Sequence, residues 1–257
     1  MAQMKDIPLV LIHGYPFDHT LWFSTVASLG ANARVLAPDL PGFGRTELPA
    51  DKKPSMEAMA RSVAMLLNDA GKEKAVVAGM SMGGYVALAF AEKYRERLAG
   101  LALVSSQTAA DSAEAKQLRQ ETIQRIRAEG VNGAVEAMLP KMFSPEKFKD
   151  SELVAYPKRA AQAAGPDGLC WALQAMADRP DRTRLARELS VPVLVVHGAE
   201  DKIVPCARAR MLAESCQDPI YVEIAGAGHA TPLEAPDQVA AALARLMKRV
   251  RETAAAR

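Results

Sequence analysis

Short apolar runs and longer amphipathic stretches take turns along this chain. Six runs rich in β-branched residues, at 8–12, 34–37, 75–78, 100–104, 191–196 and 220–224, show no polar alternation. A strand reads that way when both of its faces are buried, as in a parallel sheet covered by helices on each side. The stretches between most of them have helical spacing. Ser55 stands as an N-cap at the head of 55–70, and Gly71 follows as the stop. Near the C-terminus Val239, Leu243, Leu246 and Val250 recur at spacings of four, three and four, which sets them on one helical face. Alternating strands and helices predict the α/β class, with a mostly parallel, doubly wound sheet.

One interval breaks the alternation. Between 108 and 189 no run reads as a strand. The segments 111–129 (Ala115, Leu118, Thr122 and Ile126 on one face), 131–142, 152–164 and 166–177 read as helices, with Pro140, Pro145 and Pro157 as punctuation. About 80 residues of helix are too many for a crossover between two strands. The reading is a helical cap at 108–189, inserted into a core domain formed by 1–107 and 190–257.

Composition narrows the function classes. The 257 residues are 49% hydrophobic and 24% charged, which excludes disordered and disulfide-dense classes and suits one core with a small insert. Charges nearly cancel, 32 basic against 30 acidic, and no basic stripe is interleaved with aromatics, so nucleic acid is not an expected partner. The three cysteines, Cys170, Cys206 and Cys216, have neither zinc-ligand nor disulfide-framework spacing. No secretory leader pattern opens the chain, and no apolar stretch approaches the ~20 residues of a membrane span. The expected location is cytoplasmic, with no membrane partner.

The chemistry-bearing signal is Gly79-Met80-Ser81-Met82-Gly83-Gly84, placed after a buried run and before the helical stretch 85–94. In strand–turn–helix context G-x-S-x-G is a nucleophile elbow, a strained turn that presents Ser81 Oγ at a helix N-terminus. A serine hydroxyl needs a base, and the chain has four histidines. His229 lies in a loop after the last strand run, free to reach back over the sheet edge; His13 and His197 end strands beside Gly14 and Gly198, where packing is the expected role. Asp201, in the turn after the fifth run, suits the acid that orients the imidazole, with Glu200 as its neighbouring alternative. The order Ser81, Asp201, His229 is the one expected for a nucleophile elbow on this architecture, and not for the two other well-known triad folds. For the oxyanion, backbone N–H groups of Met82 and Tyr15 are the candidates, since Pro16 has none. His19, Met138, Met142 and Trp171 are candidate substrate-lining residues.

Taken together, His13-Gly-Tyr-Pro16, Asp39-Leu-Pro-Gly-Phe-Gly-Arg45, Gly79-Met-Ser-Met-Gly-Gly84, His197-Gly-Ala-Glu-Asp201 and Gly228-His229 resemble the α/β-hydrolase superfamily over nearly the whole chain. Within it the pattern is similar to small bacterial esterases, enol-lactonases and C–C-bond hydrolases with a helical cap. The resemblance implies a sheet of about six to eight strands and an acyl-enzyme mechanism without metal or organic cofactor. It also implies that Asp39 and Arg45 serve a loop beside the site. Members usually begin with an antiparallel strand pair, for which too little chain precedes the first run here. Ser81 disfavours the dehalogenase and epoxide-hydrolase branches, which carry aspartate at that place. The expected activity is hydrolysis of small, uncharged, moderately apolar carboxylic esters. The alternative is a lactonase or a hydrolase of β-diketone-type C–C bonds, with perhydrolysis as a side activity.

Overall fold

The computed structural model describes residues 7–50 and 53–255. Six strands, β1 (Leu9–Ile12), β2 (Val35–Leu36), β3 (Ala75–Met80), β4 (Leu98–Val104), β5 (Val193–Gly198) and β6 (Ile220–Ile224), form one sheet in the order β2-β1-β3-β4-β5-β6. Every pairing is parallel. These are the six runs the hydrophobic pattern predicts. An N-terminal edge strand before β1 would fall outside the described residues.

Register explains where the chemistry gathers. Met80, Val104, Val196 and Val222 stand in one row across β3, β4, β5 and β6. The loops after that row all leave the same edge of the sheet, and Ser81 is the first residue past it. Helices α1 (Phe23–Leu29) and α10 (Pro236–Ala255) pack together, and the predicted stripe Val239, Leu243, Leu246 and Val250 is buried. Helices α2 (Met56–Asp69) and α3 (Met82–Lys93) pack together likewise, with α8 (Cys206–Ser215) against β5 and β6. The Ser55 side chain accepts from the Ala58 N–H at 3.1 Å, as expected of an N-cap.

Between β4 and β5 every regular element of the described chain is a helix: α4 (Ala113–Glu129), α5 (Val131–Met142), α6 (Ser151–Ala177) and α7 (Thr183–Arg187), with a 3-10 turn at Lys147–Lys149. The first three pack on one another. α6 breaks at Gly165, whose φ of +69° is left-handed, and resumes at Pro166. The two helices expected there are therefore the two halves of α6. Pro140 and Pro157 do not punctuate as expected. Each sits inside a helix, Pro140 in the last turn of α5, where few bonds remain to lose, and Pro157 buried within α6. The short elements, a 3-10 turn at His19–Trp22, α7 and α9 (Thr231–Glu234), have too few residues to show a period. Among the described residues no helix is long and apolar enough to cross a membrane.

The two ends of this helical insertion are tied together at its base. Arg182 N–H donates to Thr108 O at 2.9 Å, and the Thr108 and Thr183 hydroxyls meet at 2.9 Å. The Arg179 guanidinium donates to Ala109 O at 2.9 Å, pairs with Asp111 at 2.7 Å and lies 3.9 Å from the centre of the Tyr85 ring on α3. Arg182 reaches Glu57 on α2 and Glu92 on α3.

Candidate active site

Ser81 stands at the junction of β3 and α3 with φ +51° and ψ −113°, a left-handed conformation rare for a residue with a side chain. Close packing holds it there. A Cβ at Gly83 would lie 2.3 Å from Ile12 O, and one at Gly79 would lie 2.0 Å from Gly83 O, so only glycine lets α3 start this near β1 and β3. Ser81 N–H donates to Val104 O at 2.8 Å, and Ser81 O accepts from the Ser106 hydroxyl at 2.8 Å.

His229 and Asp201 complete a line of hydrogen bonds. His229 Nε2 is 2.9 Å from Ser81 Oγ, and His229 Nδ1 is 2.8 Å from Asp201 Oδ2. A carboxylate beside Nδ1 selects the tautomer that carries its proton there, which leaves Nε2 to accept from the serine. Asp201 Oδ1 accepts from the N–H groups of Ile203 at 2.8 Å and Val204 at 2.9 Å. Burial pushes the Asp201 carboxyl upward, but His229, the Val204 N–H and His197 outweigh it and hold the group below the usual carboxylate range. Glu200 is exposed, and its N–H donates to Ala227 O at 2.9 Å, bracing the His229 loop from the Asp201 side.

The other histidines are engaged elsewhere. His13 is fully buried: Nδ1 lies 2.9 Å from Gly14 O, and Nε2 accepts from Leu40 N–H at 2.9 Å, which keeps the ring neutral. Burial brings its pKa down to about 4. His197 Nε2 donates to Val204 O at 2.8 Å and lies 3.3 Å from Asp201 Oδ2, backing the acid from behind. Burial lowers its pKa as well. His19 is half-buried on the 3-10 turn, with Nδ1 2.7 Å from Asp39 Oδ1. Asp18, His19 and Asp39 bring metal-ligand-type atoms within 4.8 Å of one another, but Asp39 is already satisfied by the His19 ring and the N–H groups of His19 and Arg45.

The turn after β1 lies against the elbow: a Cβ at Gly14 would be 3.3 Å from Ser81 Cβ. That brings the Tyr15 backbone to the serine side of the sheet edge, with Met82 opening α3 beside it. Tyr15 itself is buried edge-on to Phe43. Of the candidate lining residues, Trp171 faces a cavity of about 290 Å³ together with Leu48, Ile123, Arg127 and Cys170, at the seam between the insertion and the core. Met138 is half-buried against the apolar core. Met142 is wholly buried, and its main chain meets the site: Met142 O accepts from His229 N–H at 2.9 Å and Ala230 N–H at 3.0 Å. The sequence offers no sign of that carbonyl, because backbone acceptors leave no trace in residue type. Ser106, His197 as partner of Asp201, and Glu234, whose Oε2 accepts from Gly228 N–H at 2.9 Å, are likewise absent from the sequence reading. An acidic residue within the apolar stretch Thr231-Pro-Leu-Glu-Ala-Pro236 was the one available hint.

The family described as alpha/beta hydrolase fold matches residues 7–236. In structure the chain is similar to a thermophilic esterase from Thermogutta terrifontis, with TM-score 0.90 and 38% identity over 95% of this chain and 90% of that one. It is also similar to the enol-lactonase from Burkholderia xenovorans LB400, with TM-score 0.85 and 25% identity over 95% and 92%. In sequence it is 30% identical to the pimeloyl-[acyl-carrier protein] methyl ester esterase of Aromatoleum aromaticum, over 92% of this chain and 96% of that protein. It is also 30% identical, over 90% of its own length, to the dihydrolipoyllysine-residue acetyltransferase component of the acetoin cleaving system of Pseudomonas putida, of which it spans 61%.

Proposed function

The chain belongs to the α/β-hydrolase fold family, and from that premise we propose that it is a serine hydrolase of small, uncharged, moderately apolar carboxylic esters. The observation that carries this reading is the pair of hydrogen bonds from Ser81 through His229 to Asp201, at 2.9 and 2.8 Å. In the proposed cycle Ser81 Oγ attacks the ester carbonyl while its proton passes to His229 Nε2, which then protonates the leaving alcohol. Water gives its proton to the same nitrogen, attacks the acyl carbon and restores Ser81 as the acid departs. Asp201 holds the Nδ1 proton in place and stabilises the imidazolium without accepting the proton. The N–H groups of Tyr15 and Met82 would receive the tetrahedral oxyanion.

Residues 108–189 serve in this reading as the cap that selects substrate, with His19, Met138, Met142 and Trp171 near its inner side. A near-neutral charge balance and an apolar set of Met138, Leu139, Met142, Phe143, Trp171, Leu173 and Met176 favour an uncharged acyl group. The names of two relatives, a thermophilic esterase and a methyl ester esterase, support ester chemistry. The same residues would need no metal or organic cofactor, and the three free cysteines are consistent with a cytoplasmic site of action.

The test is Ser81→Ala. Hydrolysis of p-nitrophenyl acetate and butyrate is expected to fall by about 10⁴-fold or more, and full activity in the variant would overturn the reading. Likeness to an enol-lactonase favours cyclic esters as the second reading, with the same residues in the same roles. A screen of simple esters, enol-lactones and β-diketones separates these, since flat ester rates beside lactone or C–C turnover would displace the first.

A further inference from the structure

Glu234 is an acidic side chain, 5% exposed, that the proposed reaction does not use. Taking a carboxyl group out of water costs several kcal/mol unless its oxygens find donors, so a buried one calls for an account. Here one oxygen does the bonding. Oε2 accepts from Gly228 N–H at 2.9 Å and from Ser144 N–H at 2.8 Å, and among the described residues Oε1 has no partner. Gly228 directly precedes His229; Ser144 lies just past the end of α5. The same two segments meet again through Met142 O, which accepts from His229 and Ala230 N–H. They are in van der Waals contact besides, because a Cβ at Gly228 would fall 2.6 Å from Ser144 N.

We infer that Glu234 is a positioning residue for His229. Met142 O grips the loop at and after the histidine, and Glu234 grips it one residue before. Two points fix the direction in which the imidazole leaves the backbone; with only the first, the loop can pivot and Nε2 moves off Ser81 Oγ. The insertion therefore sets the aim of the base through its main chain, at Met142 O and Ser144 N–H. This inference rests on the reading of Ser81 and His229 as nucleophile and base.

The geometry separates the informative variants. A glutamine at 234 keeps one acceptor oxygen where both N–H groups point, whereas an aspartate is shorter by one C–C bond, about 1.5 Å, and cannot reach both. With p-nitrophenyl acetate, Glu234→Asp and Glu234→Ala are expected to lower kcat about 10- to 100-fold with KM within twofold, and Glu234→Gln to stay within threefold of wild type. The rate at which a fluorophosphonate labels Ser81 should fall in parallel, and the downfield NMR resonance of the His229 Nδ1 proton should shift in the Asp variant but not in the Gln variant. Leu246→Ala, on the buried face of α10, supplies a destabilised control that keeps kcat per folded molecule. The inference is overturned if Glu234→Asp keeps kcat within threefold, if Glu234→Gln falls as far as Glu234→Asp, or if Leu246→Ala loses as much. Should Glu234→Ala not fold, the Asp and Gln pair decides. Wild-type protein that neither labels at Ser81 nor hydrolyses the ester sinks the serine-hydrolase reading and this inference with it. Wild type that labels, beside a Glu234→Asp variant that labels equally fast, sinks this inference alone.

Discussion

The loops leaving β1, β3, β5 and β6 and the helices between β4 and β5 hold their polar groups in different ways. At the strand ends, hydrogen bonds are short-range and nearly saturating: Asp201 takes three donors, from Ile203, Val204 and His229, with the His197 ring 3.3 Å away, and His13 is spent on Gly14 and Leu40. In the insertion, apolar packing dominates, and the buried Arg179 and Arg182 gather with the half-buried Asp111 where it joins the core. The difference teaches where to expect changes in rate and where to expect changes in selectivity. A loop residue with every bond assigned has one geometry to lose. A packed helix face can be reshaped while the chemistry beside it persists.

Three experiments sharpen or break that contrast. The largest effect belongs to Asp201→Asn. Its oxygen can still accept from Ile203 and Val204, which turns the amide NH₂ towards His229 and imposes the wrong tautomer, so kcat should drop about 10⁴-fold while the fold survives. Retention of more than a tenth of the wild-type kcat would show that the site does not depend on this acid. Next comes His13. Its folded pKa, about 4, lies below the ordinary 6.5, so as pH falls the unfolded chain takes up the proton first. The stability it contributes is complete above about pH 6.5 and is lost as pH approaches 4, on the order of 3 kcal/mol over that window. Urea unfolding at pH 7 and pH 4.5 measures the loss, and an NMR titration of His13 near pH 6.5 would contradict its saturated burial. The smallest effect is in the insertion. The cavity that Trp171 lines is walled by none of Ser81, His229 and Tyr15; on the reading of 108–189 as a substrate-selecting cap, Trp171→Phe should shift the ratio of kcat/KM for p-nitrophenyl hexanoate over acetate by up to about tenfold. An unchanged ratio would remove Trp171 from the substrate-lining set.

The same contrast governs what could be read from the sequence. Strand-end loops are legible because special backbone geometry restricts residue choice: Gly79 and Gly83 are needed for contact distances no Cβ would permit, and they bracket Ser81. Buried parallel strands are legible because both faces are apolar, as in Ala75–Met80. β2 is shorter than its run because, at the sheet edge, its ladder with β1 is two pairs long, Val35 beside Leu9 and Leu36 beside Val10. The insertion was legible as helix but not as contact. Helical periodicity says which face is apolar, not which carbonyl points where, so the sequence offers Met142 as an apolar lining candidate and is silent on its carbonyl, which accepts from His229 and Ala230. Glu234 was hidden for a related reason: its partners are two N–H groups that every residue except proline possesses.

The base of the insertion has a consequence for the chain as a polymer. β4 and β5 are neighbours in the sheet, yet Val104 and Val193 are separated by the whole of α4 to α7. Closing a flexible loop costs entropy that rises with the logarithm of its length, about 0.6 kcal/mol for each doubling. The bond from Arg182 N–H to Thr108 O changes what must be closed. Once the helices have packed and that bond is made, the sheet meets an excursion whose ends already touch, and the length in between no longer enters the pairing of β4 with β5. The segment can lengthen, shorten or exchange its helices with little effect on how the core assembles, provided the two residues at its base still meet.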